Sequence, residues 1–281
     1  MKGAFRAAFA EYKRWLCNPR ILLLFILIIY ARESVGMVLC EHAVKMGTEL
    51  HWLEAYLALN NSSVAALIMP VFFLVLMSDF PVMEGSYLWF IYRAGKVKWI
   101  VIEMLFALFA LLTVMFGMFV SSVLSCWGHI RFTGGWSDVV TRYYLAFPED
   151  AMSGVAQLIQ GDIYNQMTIG QAVFRSVTLT ACMLLCYCAI LLCGKIYGKK
   201  YLPLCICIVL MGLGFALKWM ESKYVFLFPS AHALLSGHHD AYLRKPIVPY
   251  GMSYAYFLML FAIIMGIAVY GVKRRNVCKN L

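Results

Sequence analysis

His232, His238, His239 and Asp240 are the densest group of side chains in this sequence that could bind a metal or move a proton. Two histidines that ligate one metal from one helix stand at i and i+4, as in HExxH; adjacent His238 and His239 point apart and lack that spacing. The group reads better as a polar loop than as a metal-dependent hydrolase embedded in a membrane, which stays open as the lesser alternative. Neither HExxH nor GxSxG occurs in the chain. Of the ten cysteines, Cys40, Cys182, Cys186, Cys188, Cys193, Cys205 and Cys207 lie in or near apolar runs, where Cys packs as a small apolar residue. Cys186 and Cys188 are two apart and fall on different faces of a helix. A disulfide between Cys40 and Cys126 is left open. With no GxxxxGK[ST] and no GxGxxG, any nucleotide chemistry falls to a partner.

Charged residues inside apolar runs are costly in lipid and are functional candidates for that reason. Arg32 and Glu33 lie about 18 Å along the first run at 1.5 Å per residue. They could line a substrate path or a subunit interface, or reach outer headgroups if the run ends near Tyr30. Glu103 sits just inside the third run, where Lys96, Lys98 or a basic residue of another helix is an expected ion-pair partner. Arg175 and Lys218 stand near run ends and are expected to snorkel to the interface.

The elements that must position these residues follow from composition. The 281 residues are 63% hydrophobic and 14% charged, with a mean hydropathy of +0.78. Soluble domains carry about 25% charged residues, so this chain needs lipid around it. A spanning helix needs about 20 apolar residues. Six runs qualify: Ile21–Cys40, Ser63–Ser78, Trp99–Cys126, Ala172–Cys193, Tyr201–Met220 and Tyr254–Val272. The second is short and the third long, so a tilt or a break is expected in both. The fold class is an all-α polytopic membrane protein with six transmembrane helices. With the N-terminus inside, 15 of the 24 basic residues fall in inward segments beside only Glu11, Asp79 and Glu84. That bias places both termini in the cytoplasm. The net charge of +10 sits at membrane edges rather than in a stripe with aromatics, which excludes nucleic acid as the partner. The first run reads as a span, not a cleaved signal peptide, because no small-x-small site follows it. Two outer loops, 127–171 and 221–253, are long enough to hold short helices.

Residues 1–20 form a separate element. From Gly3 to Cys17, Phe5, Phe9, Tyr12 and Leu16 share one face at about 100° per residue, with Ala8 and Trp15 beside them and Lys2, Arg6 and Lys13 along its edge. An apolar face with a basic edge suits a helix lying in the lipid headgroup layer. Asn18-Pro19 then ends it and turns the chain into the first span.

The inward loop 79–98 carries the other signal. Ser78 and Asp79 can cap a helix whose first turn Pro81 suits, Glu84 favours its N-terminal end, and Gly95 closes it. A short capped helix held between two spans is a rigid knob that can fit a groove on a cytoplasmic protein.

These features together resemble the permease subunits of ABC-2 type ATP-binding cassette exporters. The matching residues are the basic amphipathic N-terminus ending in Asn18-Pro19-Arg20, the six spans and the inward Glu84-Gly85 … Arg93-x-x-Lys96 loop. The resemblance implies that Glu84, Gly85 and Arg93, with Arg6 and Lys13 of the N-terminal helix, contact a separate cytoplasmic ABC ATPase in two copies. It implies a second permease subunit, identical or paralogous. ATP and Mg would be bound by the ATPase, with no cofactor in this chain. It implies export of an amphipathic substrate, peptide or lantibiotic-like, across a bacterial cytoplasmic membrane. A sensor or assembly subunit that transports nothing is the alternative.

Overall fold

The computed structural model describes residues 2–81, 95–152, 157–199, 201–220, 222–239 and 247–274. Helix α1 (Lys2–Leu16) precedes α2, which runs from Pro19 to Met46 with a π-helical turn at Arg32–Gly36. Then come α3 (Glu54–Asn61), α4 (Ser63–Leu76) and α5 (Lys96–Ser125). The short helices α6 (Asp138–Ala146), α7 (Pro148–Met152) and α8 (Gly161–Tyr164) lead to α9 (Ile169–Ile196) and α10 (Leu202–Trp219). A short α11 (Pro229–Ala233) and the long α12 (Tyr250–Arg274) follow. Five helices, α2, α5, α9, α10 and α12, are long and apolar enough to cross a membrane, so the chain is an all-α polytopic protein.

The expected second span is where the structure differs. The chain there forms two helices broken at Ser62, whose ψ of 137° is extended. Helix α4 has 14 residues with Pro70 inside it, about 21 Å at the α-helical rise. That falls short of the ~30 Å hydrocarbon core. The break falls at Ser62, before the expected run rather than within it, and α3 ahead of it is buried along its whole length. The third run, by contrast, is one continuous helix of 30 residues.

Contacts set the directions. Helices α2 and α5 run in parallel: the Ser121 hydroxyl donates to the Ile28 carbonyl and the Cys126 thiol approaches the Gly36 carbonyl. Gly36 allows this, since a Cβ there would stand 2.5 Å from Ser125, and small residues let membrane helices approach closely. Helix α4 returns, ending where the Trp15 indole of α1 donates to the Leu76 carbonyl. Helices α9 and α12 run together, with Thr178 bonded to Tyr254 near their starts and the Tyr197 hydroxyl donating to Ile267 near their ends. Helix α10 runs against α9, and Gly194 accepts Pro203 where a Cβ would leave only 2.3 Å. One face of the bundle therefore carries α1, and the opposite face carries a cap of α6, α7, α8 and α11.

A two-residue parallel pairing, β1 (Leu50–His51) with β2 (Ile130–Arg131), ties the end of α2 to the cap. The expected short helices of the outer loops are present as α6, α7, α8 and α11.

Candidate functional site

At the α1 face, α1 lies across the first half of α5. The contact is made by small residues: Ala8 is fully buried, and so are Ala107 and Ala110 of α5. Around them Trp15 packs edge-on to Phe106, Phe5 and Phe9 pack edge-on to Phe109, and the Tyr12 and Thr113 hydroxyls bond at 2.6 Å. The buried stripe is thus rotated from the face read in the sequence. Alanines make the contact, while Phe5, Phe9 and Leu16 remain exposed. Large aromatics at Ala4 or Ala8 would hold the helices apart, a constraint that periodicity alone does not reveal.

Two carboxylates meet at this crossing. Glu103 is buried and accepts a 2.7 Å hydrogen bond from the Trp99 indole, in place of the expected Lys96 or Lys98 ammonium. Glu11 of α1 lies near enough to act on it electrostatically. Burial pushes the Glu11 carboxyl up to about 7, against the lowering effect of Arg14. Where α2 begins, Arg20 pairs with Asp79 and donates to Ser78 at 3.1 Å, with Asn18 capping the turn through the Arg20 N–H. Gly95, at φ 87°, begins α5. The chain on either side of residues 82–94 is therefore held, before them by Arg20 at Asp79 and after them by α5, on which α1 rests. Arg6 and Lys13 are exposed on α1, Lys13 over the Phe9 ring at 5.1 Å. Glu84, Gly85 and Arg93, with the expected loop helix, lie outside the described residues.

Arg32 and Glu33 fall on the π-helical turn of α2, both exposed, with Arg32 Nη1 3.4 Å from Glu33 Oε1. Single π turns inside α-helices recur at functional positions.

The cap holds its polar groups differently. Glu54, at the start of α3, has no exposure; its carboxylate accepts from the Ser137 N–H at 2.7 Å and the His51 N–H at 2.9 Å. Burial raises its pKa, and those two hydrogen bonds oppose the rise. Sequence reading passed over Glu54, because one acid before an apolar stretch looks like an ordinary helix start. Ser253 lies between His232 Nδ1 (2.9 Å) and His238 Nε2 (3.0 Å). His232 Nε2 is 2.7 Å from the Phe226 carbonyl, so that nitrogen carries the proton and donates. His232 Nδ1 then accepts from Ser253, which in turn accepts from His238 Nε2–H. Desolvation pushes His238 down to about 4. Ser253 and His238 are fully buried, so the triplet pins the start of α12 to the loop before it and presents no nucleophile at a surface. Asp240 lies outside the described residues, and among those described no cluster of three potential ligands could hold a metal.

Lys218 does not snorkel: it turns into the cap and donates to Ser236 at 2.7 Å. Arg175 stacks over the Tyr250 ring at 4.3 Å. Cys40 and Cys126 are free thiols, so the disulfide left open in the sequence does not form. Comparison with models of known protein families, with curated proteins and with solved structures finds no match for this chain.

Proposed function

We propose that the chain is the membrane subunit of an ATP-driven exporter of the ABC-2 type, with the α1 face in the cytoplasm of a bacterial cell. The observation that carries this reading is the seating of α1 on α5. Through it the N-terminal helix and the helix leaving the inward loop form one packed body. A cytoplasmic ATPase that pushed on residues 79–98 would move α5 and α1 together, because the Ala8, Trp15 and Tyr12 contacts join them. The other end of the loop is tied to α2 through Arg20 and Asp79, so the push would also reach the first span. Packed interfaces of this kind transmit a shift without absorbing it.

ATP and Mg then belong to the partner ATPase, two copies for two permease subunits, and the chain supplies the path. The substrate class this reading favours is an amphipathic or hydrophobic molecule, a peptide or lantibiotic first. Reconstitution tests it. Glu84→Arg and Arg93→Glu are expected to abolish coupled export while leaving the isolated permease folded. If both variants export like the wild type, the loop is not the coupling element.

A further inference from the structure

Four residues of α2 form an exposed apolar stripe: Leu22, Phe25, Ile26 and Ile29. Arg32 and Glu33 continue that stripe on the π-helical turn, their side chains 52% and 61% exposed. Lipid suits the four apolar residues and not the two charges. Their level is fixed by the packing behind them. Ile28 accepts from Ser121, and Gly36 lies against Ser125 and Cys126, so the pair sits opposite the last turns of α5. The exposed Trp127 just beyond is the kind of residue that marks a headgroup layer. The close contact at Gly36 stops α2 from rolling the charges inward. Among the described residues, each of the two has the other as its ion-pair partner.

We propose that this stripe is the docking face for a second copy of the chain, α2 against α2 about a two-fold axis, with Arg32 of each copy paired to Glu33 of the other. A two-fold interface brings the same patch from both sides, so it must complement itself. A patch of one sign repels its own copy; a positive and a negative charge side by side do not. The apolar residues below supply the packing that membrane helices need to associate. The inference deepens the exporter reading, on whose two-permease arrangement it rests, by choosing an identical second subunit and naming its face.

The test uses two differently tagged full-length copies expressed together and purified in mild detergent. Wild-type copies are expected to co-purify. Arg32→Glu in both copies, or Glu33→Arg in both, is expected to lower recovery of the second tag about tenfold. Arg32→Glu in one copy with Glu33→Arg in the other is expected to restore it, since one inter-copy pair re-forms with reversed sign and the other keeps its original sign, while neither chain keeps an internal pair. That restoration also shows that both variants fold. Wild-type recovery for each single reversal, or no restoration in the mixed pair, overturns the proposal and leaves the charges to the lipid headgroups. If the reversed chains fail to accumulate, Arg32→Gln and Glu33→Gln replace them, and undiminished association of those variants overturns it equally. Wild-type copies that never co-purify overturn it in favour of an unlike partner. ATPase recovered in the same preparation then shows that the exporter reading survives that failure.

Discussion

At the α1 face the basic side chains Arg6, Lys13, Arg14 and Arg20 are exposed around a contact made of alanines and aromatics, with the Glu103 carboxyl buried beneath it. At the cap, Glu54 and Ser137 form one fully buried hydrogen-bonded pair and His238 and Ser253 another, while Asp138 and Arg142 of α6 stay exposed. Buried hydrogen-bonded pairs of this kind favour one conformation, because a member that loses its partner costs its desolvation. The alanine contact at the α1 face is instead a close-packed joint between two helices, bordered by exposed charge and tied by the Tyr12–Thr113 hydrogen bond.

The largest expected effect strikes the cap. Glu54→Ala leaves the His51 and Ser137 N–H groups without their acceptor and is expected to cost about 3 kcal/mol, read as a lower thermal unfolding midpoint in detergent. Ala8→Leu attacks the joint and is expected to cost about 2 kcal/mol by overpacking α1 against α5. Hydrogen exchange should then quicken in residues 2–16 and stay unchanged in the cap; equal loosening of both would erase the distinction between them. Ser253→Ala removes the hydroxyl between His232 and His238 and is expected to cost about 1–2 kcal/mol, with faster exchange at the start of α12.

Acid is expected to move the two regions in opposite directions. Glu11 is raised to about 7, so it holds its proton more tightly in the folded chain. Its contribution is full below the usual carboxylate value of 4.5 and is lost as pH rises through 7. His238 is lowered to about 4, so its contribution is present above 6.5 and is lost as pH falls through 4. Between pH 8 and pH 5 the α1 contact should tighten while the His238–Ser253 contact at the start of α12 weakens, read as exchange rates corrected for intrinsic pH dependence. Glu11→Gln should flatten the first trend alone.

Apolar run length made five spans legible, and proline after Asn18 marked the end of α1. The broken second span was legible only as a short run, since Ser62 interrupts α3 and α4 by backbone geometry and Pro70 lies inside a helix that stays intact. The carboxylates at the α1 crossing were half legible: Glu103 stood out as an acid in an apolar helix, but its partner is an indole four residues before it. Glu11 became visible only once α1 was packed. Glu54 and Ser253 were illegible because their partners are 83 residues and 15–21 residues away, and such pairings are made by the tertiary fold. Lys218 was misread for the same reason, its acceptor Ser236 belonging to the cap.

The exporter reading meets its most direct test in purification from the source cells. The tagged chain, extracted in mild detergent and resolved by size, is expected to carry an ATP-binding cassette ATPase in equal amount, released by Arg93→Glu. A chain that emerges intact and well folded with no ATPase bound would contradict it.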